Sequence, residues 1–305
     1  MIRKLYFVPV IALLFSSVNP VFCQKSNIHI VDVEKAPIQY ALFPEKAEET
    51  SGLIWFEDAL WTFNDSGGDP ELYKIDSLGK ITQTIVLEKA KNHDWEDITQ
   101  DDQYIYVGDF GNNLGNRTNL MIYKIDKEKI EPDEKITIEA SPMSISFADQ
   151  TDFTIRNRKH NFDCESMINY GDSLILFSKD WGDGKTRMYK TAKVTGRYPL
   201  EPVAEFNADG LVTGASYNPD NGKLALIGYK NFVPFIWIFE NFDGKSFNAE
   251  NITRYNLMGI TNSQTEGICW MDDDTLLVST EQRDEFQQGA FILKLSDLAE
   301  LTGRK

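Results

Sequence analysis

The chain has 305 residues, with 31 Lys and Arg against 47 Asp and Glu, a formal net charge of −16. Apolar residues make up 42% of it, enough for a sizeable core, which excludes a disordered chain, a collagen and a disulfide-stapled miniprotein. The acidic balance argues against nucleic acid and anionic lipid as partners, because phosphates are bound by clustered Lys and Arg.

The first 23 residues have the pattern of a secretory signal peptide. Arg3 and Lys4 form a basic start, and residues 5–15 are an apolar run too short to span a membrane. Cleavage after Cys23 would leave residues 24–305 as one domain with no transmembrane span, located in the periplasm, on the outer surface or outside the cell. Two alternatives are a buried N-terminal helix and a lipoprotein signal with Cys23 acylated, although Phe22 stands where such signals have a small residue.

A repeat runs through the rest of the chain. Five segments begin with a small or acidic residue and continue as a short apolar run, starting at Ser51, Glu96, Glu165, Thr213 and Glu266. Each is followed, after a turn rich in Asp, Asn and Gly, by a second strand, and these strands end at Asp65, Asp109, Lys179, Tyr229 and Glu281. An alternating third strand follows in every unit and a fourth in most, with helical periodicity only near the C-terminus. The pattern predicts an all-β fold, a β-propeller of five four-stranded blades.

The fifth unit runs out of sequence after its third strand. We expect residues 27–33 or 39–43 to supply its outer strand and so close the ring, which removes an open sheet edge. Two alternatives stay open. The long unit at residues 94–162 could contain a sixth blade, and a two-sheet sandwich would also explain short strands, though not five matched strand pairs.

The repeat predicts which side chains share one face of the propeller. The first strand of a blade lines the central channel and the second runs antiparallel beside it, so the start of one and the end of the other lie together. Six of these ten positions are carboxylates, which repel one another at low dielectric unless a cation compensates them. Oxygen ligands and the absence of a His or Cys cluster indicate Ca²⁺ rather than zinc or copper. The predicted metal ligands are Glu96, Glu165, Glu266 and Asp109.

The remaining predicted site residues surround this acidic ring. We expect Asp65, Trp95, Asp109, Lys179, Tyr229 and Glu281 to contact a ligand, with Trp95 and Tyr229 at rim positions where a ring can stack. If the protein is an enzyme, Glu96, Glu165 and Glu266 are the candidate catalytic residues, one as general base beside a cation-bound water. The alternative interpretation is that these acidic side chains only bind backbone N–H groups of the adjacent blade.

Several of these motifs resemble a widespread group of exported bacterial β-propeller proteins. The matching stretches are Ser51-Gly-Leu, Asn64-Asp-Ser-Gly-Gly, Asp94-Trp-Glu-Asp-Ile, Gly108-Asp-Phe-Gly-Asn-Asn, Asp163-Cys-Glu and Glu266-Gly-Ile. More loosely, the chain is similar to the esterase-like phytase propellers and to calcium-dependent five-bladed nucleotidases. That similarity implies an acidic, calcium-filled channel mouth able to hold a phosphoester through the metal.

Two functions follow as hypotheses. The first is a binding or interaction module that recognises a small molecule, a glycan or an extracellular protein at the acidic mouth. The second is a calcium-dependent hydrolase of phosphoesters or esters. Few basic residues fall at predicted rim positions, which favours binding over the hydrolysis of anionic substrates.

Overall fold

The computed structural model describes residues 27–283 and 286–300, so the predicted signal peptide lies outside the described residues. The strands are, in chain order, β1 Asn27–Asp32, β2 Ile38–Leu42, β3 Ile54–Phe56, β4 Ala59–Thr62, β5 Glu71–Ile75, β6 Ile81–Glu88, β7 Trp95–Gln100, β8 Tyr104–Asp109, β9 Leu120–Asp126, β10 Lys135–Glu139, β11 Ser141–Phe147, β12 Asp163–Tyr170, β13 Ser173–Lys179, β14 Thr186–Ala192, β15 Arg197–Leu200, β16 Pro202–Phe206, β17 Leu211–Asn218, β18 Lys223–Lys230, β19 Val233–Phe239, β20 Asn251–Asn256, β21 Thr265–Trp270, β22 Thr275–Thr280 and β23 Gly289–Lys294. Three short 3₁₀ turns occupy Glu45–Ala47, Lys127–Lys129 and Met258–Ile260, and one helix, α1, spans Leu295–Glu300.

The described strands form five sheets, which are the five blades of a β-propeller. From the inside outwards, the blades are β3-β4-β5-β6-β10, β7-β8-β9-β11-β15, β12-β13-β14-β16, β17-β18-β19-β20-β1 and β21-β22-β23-β2. The five inner strands contact one another around a ring in the order β3, β7, β12, β17, β21. The prediction of five blades is confirmed, and the long unit at residues 94–162 contains no sixth sheet among the described residues.

Extra strands explain why that unit is long. β10 leaves the second unit to pair in parallel with β6 of the first blade, and β15 leaves the third unit to pair in parallel with β11 of the second. Each of these strands ties a blade to the chain of the next unit. They also cover an outer edge that would otherwise expose unpaired backbone groups.

Both N-terminal strands are used, one in each of two blades. β2 pairs antiparallel with β23 and completes the fifth blade, as predicted. β1 instead pairs in parallel with β20 and becomes the fifth strand of the fourth blade. The segment at residues 27–42 therefore fastens the last two blades to the start of the described chain.

Hydrophobic residues fill the gaps between blades. Five clusters of buried apolar side chains occur, and each contains residues from two neighbouring blades. Strands such as β13 are buried on both faces for this reason, and they appear in the sequence as continuous apolar runs. Cys164 and Cys269 are free, buried members of two of these clusters. No helix among the described residues has the length and apolar character needed to cross a bilayer.

Candidate functional site

A cavity of about 230 Å³ lies at one end of the channel, where the inner strands begin. All five blades and the loop before β12 contribute to this mouth cavity, which is lined by Asp65, Glu96, Asn113, Arg158, Glu165, Lys179, Tyr229, Phe232, Gln264, Glu266 and Arg283. Six of these are predicted site residues: Asp65, Glu96, Glu165, Lys179, Tyr229 and Glu266. The predicted convergence of strand starts and strand ends on one face is therefore observed.

A β-bulge in the inner strand places each of the three glutamates. The pairing of β7 with β8 shifts by one residue around Glu96, and that of β12 with β13 shifts around Glu165. The pairing of β21 with β22 skips Glu266 and the glycine after it. A bulge adds a residue that the ladder does not pair and redirects its side chain. These glutamates are thus held at the channel end of their strands.

Three carboxylates at the mouth lie close enough to share one ion. Asp65, Asp94 and Glu96 each offer an oxygen, and these oxygens lie within 4.8 Å of one another. Glu96 is only 4% exposed, and its Oε1 and the Oδ1 of Asp65 are buried without a hydrogen-bond partner. A buried acceptor without a partner costs about 1 to 3 kcal/mol, so the cluster is incomplete by itself.

Burial and mutual repulsion perturb the pKa of each member of this cluster. Burial, followed by the charges of Asp94 and Glu266, raises the pKa of Asp65 to about 8. Burial and the neighbouring Asp163 raise the pKa of Asp94 to about 6, although Arg117 opposes that change. Burial and Glu165 raise the pKa of Glu96 well above its ordinary value. Without a cation, the cluster therefore retains protons that solvent-exposed carboxyls would have lost.

The backbone of Gly111 leaves room for this cluster. A Cβ at Gly111 would overlap Oε1 of Glu96 and would lie 2.6 Å from Oδ2 of Asp94. Because glycine has no side chain, the position that a Cβ would occupy is part of the space between two of the three carboxylates. Any larger residue would fill it.

Other residues of the mouth cavity carry positive charge and aromatic rings. Lys179 is buried, and its Nζ lies 2.5 Å from Oε2 of Glu165. Burial lowers the pKa of Lys179, but Glu165 and the other nearby acidic groups outweigh it, so the pKa is raised and the ammonium stays charged. The same Nζ lies 4.7 Å from the ring centre of Trp181 and 5.5 Å from that of Tyr229. Glu165 is therefore engaged by a cation of the protein itself.

Glu281 lies next to the mouth cavity without lining it. Its Oε2 accepts a hydrogen bond of 2.5 Å from Nε2 of Gln264, which does line the cavity. Burial and the charge of Glu266 raise the pKa of Glu281 to about 9. Glu281 thus extends the acidic field of the mouth but stands behind Gln264.

Besides Glu281, two predicted site residues lie outside the lining of the mouth cavity. Trp95 was expected at the rim, but it is fully buried, packs edge-on against Phe63 at 5.5 Å and donates its indole N–H to the carbonyl of Lys91. The prediction was wrong because the bulge at Glu96 turns Trp95 into the core between the first two blades. Asp109 does not line the mouth cavity either.

The oxygens of Asp109 are already occupied by donors. Arg117 Nη2 lies 2.7 Å from Oδ1, which also accepts the backbone N–H of Asp94, and His93 Nδ1 lies 2.9 Å from Oδ2. Its carboxylate holds the loop that carries Asp94. This arrangement speaks against its predicted place among the metal ligands.

Some acidic and hydroxyl side chains of this region do connect blades. Asp97 is completely buried and accepts the backbone N–H groups of Ile98 and, across the blade boundary, Met167. Ser51 donates to the carbonyl of Glu96, and Thr213 donates to that of Thr265, in each case on the next blade. Asp97, Ser51 and Thr213 thus make contacts between blades of the kind that the alternative interpretation describes.

The sequence repeat does not identify several residues of the cavity lining. Arg158 lies in the loop between β11 and β12, outside any strand, so the repeat does not index it. It contacts the ring of Trp181 at 5.0 Å. Asn113, Phe232 and Gln264 also lie in loops. In the sequence, the only indication that such residues lie at the mouth is that they are close along the chain to the end of a strand.

No family model and no curated protein matches the sequence. Among solved structures, regucalcin from Agrobacterium tumefaciens, a calcium-binding protein, aligns with 13% identity over 87% of this chain and 95% of its own, with a TM-score of 0.44. A glucose dehydrogenase aligns with 7% identity over 83% and 98%, with a TM-score of 0.48. A GH43_1 enzyme from Xanthomonas citri aligns with 11% identity over 85% and 89%, with a TM-score of 0.46.

Proposed function

We propose that the protein is an exported β-propeller that binds Ca²⁺ at its channel mouth and uses the bound ion to hold a ligand. The observation that carries this proposal is the cluster of Asp65, Asp94 and Glu96, whose oxygens lie within 4.8 Å of one another. Export rests on the signal pattern of residues 1–23, including Arg3 and Lys4.

The chemistry of the cluster suits a hard divalent cation. All three side chains offer carboxylate oxygen, and calcium binds oxygen at about 2.3 to 2.6 Å with six to eight ligands in flexible geometry. An ion at the centre would give Oε1 of Glu96 and Oδ1 of Asp65 the partners that they lack. Asn113 also lines the cavity, and its Oδ1 accepts a hydrogen bond of 3.4 Å from Nε of Arg158. Backbone oxygens and water would complete the shell.

The rest of the mouth cavity is suited to a ligand that touches the ion. Its volume of about 230 Å³ accommodates a small molecule or one end of a larger one. Tyr229 and Phe232 stack with their rings 6.3 Å apart and nearly parallel on one wall. Arg158 and Lys179 supply positive charge on the same side, so a ligand with a flat or apolar part and an oxygen-bearing head fits this wall.

The direct test is calcium titration of metal-stripped protein by calorimetry. Glu96→Gln keeps the shape of the side chain and removes one charge, so we expect it to weaken calcium binding by at least about tenfold. Glu201→Gln makes the same change at an exposed position far from the mouth and should leave binding unchanged. Calcium binding of equal strength in both variants would contradict the proposed site.

A second candidate function is the calcium-dependent hydrolysis of an anionic ester. The specific observation in its favour is that the basic residues Arg158, Lys179 and Arg283 line the same cavity as the carboxylates. Glu165 argues against hydrolysis, because this candidate general base already forms an ion pair with Lys179. A panel of phosphoester and carboxylic ester substrates decides between the two. Calcium-dependent turnover that is lost in Glu165→Gln would establish hydrolysis, and no turnover on any substrate would leave binding as the function.

A further inference from the structure

A second and larger cavity opens at the opposite end of the channel. It has a volume of about 490 Å³ and is lined by the far ends of the same five inner strands and the turns after them. We call it the basal cavity and define it by Trp55, Gln100, Asn169, Tyr217, Trp270 and Asp273. Gln100 follows Glu96 by four residues on β7, so these two residues, one in each cavity, lie about 13 Å apart along that strand.

The basal cavity is acidic. Its described lining residues carry six carboxylates, on Glu57, Asp101, Asp102, Asp220, Asp272 and Asp273, against one ammonium, on Lys127. Lysines elsewhere pair with two of them, because Lys74 contacts Glu57 and Lys193 contacts Asp101, each at 2.9 Å. Four carboxylates remain against the one ammonium. A concave acidic surface concentrates cations and repels anionic ligands.

One ammonium group, that of Lys127, already belongs to the cavity lining. Nζ of Lys127 donates to the backbone carbonyl of Asp101 at 2.6 Å and lies 4.4 Å from the ring centre of Phe56. An oxygen acceptor combined with an aromatic face is the arrangement that stabilises organic ammonium ions. Trp55, Tyr217 and Trp270 provide three more aromatic side chains in the same lining.

Two amide oxygens in the lining lack donors. Nε2 of Gln100 donates to the carbonyl of Trp55 at 2.7 Å, which fixes the orientation of the amide and leaves Oε1 without a partner. Oδ1 of Asn169, on the neighbouring inner strand, is likewise buried without a partner. These groups call for N–H or O–H donors rather than for further acceptors.

We propose that the basal cavity binds a small organic cation with N–H donors, of the alkylammonium or polyamine class. The acidic lining attracts the charge, the aromatic rings face its methylene groups and its charge, and the amide oxygens accept its N–H groups. A neutral sugar would satisfy the amides but would gain nothing from the charge. This site is independent of the proposed calcium site, because the basal cavity and the mouth cavity share no lining residue.

The test uses the purified protein, with spermidine as the probe in calorimetry at low ionic strength and glucose as the neutral comparison. We expect spermidine to bind more tightly than glucose. Its affinity should fall as salt is added, because salt screens the charge of the cavity. Trp55→Leu removes one aromatic face while keeping apolar volume, and it should weaken spermidine binding about fivefold or more. Tyr198→Leu, on the outer strand β15, is the matched control and should bind like the wild type.

A second variant guards against misfolding. Asp102→Asn with Asp220→Asn removes two exposed carboxylates of the basal cavity and should weaken spermidine binding at low salt, again by about fivefold. Glu134→Gln with Glu201→Gln removes the same charge from exposed sites outside the cavity and should have little effect. The proposal is overturned if spermidine does not bind, if glucose binds in its place, or if the basal variants bind spermidine as strongly as their controls.

Discussion

At the level of single residues, the β-bulge in β7 determines which acidic side chain lines the mouth cavity. Glu96 and Asp97 are adjacent, yet Glu96 faces the mouth cavity and Asp97 binds backbone N–H groups of the next blade. A regular strand would place neighbours on opposite faces in fixed alternation, whereas the bulge resets that alternation at one point. Sequence alone shows both carboxylates but not the bulge. For this reason it could predict a polar mouth but could not separate the side chains that line the cavity from those that connect blades.

The space at Gly111 provides a test that alters no charge. Gly111→Ala would place a Cβ against the carboxylates of Glu96 and Asp94. We expect calcium affinity to fall by about tenfold or more, because the ion and the new methyl group compete for the same volume. Gly68→Ala is the matched control at the same rim, since its Cβ would meet no atom closer than 3.7 Å. Unchanged calcium binding in Gly111→Ala would show that the ion lies elsewhere.

Asp97 is predicted to matter for stability rather than for binding. Asp97→Ala leaves the buried N–H groups of Ile98 and Met167 without their acceptor, which should lower the free energy of unfolding by about 3 kcal/mol. Asp133→Ala, at an exposed turn, should change it by less than about 0.5 kcal/mol. Denaturant unfolding measures both variants. A small effect at Asp97 would mean that these contacts between blades are dispensable.

At the scale of strands, the sequence predicts the antiparallel strands of each blade and misses the parallel ones. The first three strands of every unit alternate or form apolar runs between turn residues, and these are local signals. β10 and β15 pair with strands of the preceding blade, so their partners lie far away in sequence. Short segments such as Arg197–Leu200 carry no local sign of that pairing.

The closing strand offers a test at this scale. A Cβ on Gly289 would lie 2.5 Å from the carbonyl oxygen of Ala41 on β2, at the point where β2 joins β23. Gly289→Ala should therefore loosen the last blade and lower the free energy of unfolding by about 1 to 3 kcal/mol. Thermal unfolding beside the Gly68→Ala control checks this prediction. Equal melting temperatures would mean that β2 contributes little to closing the ring.

At the scale of the whole molecule, the acidic composition is most evident in the basal cavity, because the mouth cavity also carries Arg158, Lys179 and Arg283. Acidic groups gather at both ends of the channel, in the mouth cavity and in the basal cavity. The composition predicts an acidic surface but not two separate cavities. The basal cavity depends on turns after the inner strands, which differ from blade to blade and so leave no repeat to find.

The mouth carboxyls predict how stability depends on pH. Asp65 and Asp94 have pKa values raised to about 8 and about 6 when the metal-free protein is folded, above their ordinary value of 3.8. The folded state therefore holds more protons than the unfolded state, and stability falls as pH rises from about 4 to 8. Asp94 alone accounts for about 3 kcal/mol of this loss.

Calcium should oppose this loss of stability, because it replaces the protons on these carboxylates. We expect the rise in melting temperature caused by calcium to grow between pH 5 and pH 8, roughly where Asp65 and Asp94 titrate. Thermal melts in chelator and in calcium across that range measure it, with Glu201→Gln as a control that should follow the wild type. If the rise in melting temperature caused by calcium did not change with pH, the ion would not be bound by Asp65 and Asp94.

A crystal structure of the protein grown with calcium would test whether Asp65, Asp94 and Glu96 hold one calcium ion. We expect a single ion between these three carboxylates, with oxygen atoms at about 2.3 to 2.6 Å. An ion bound instead by Glu165 and Glu266, or no ion at the mouth under saturating calcium, would overturn the proposed site.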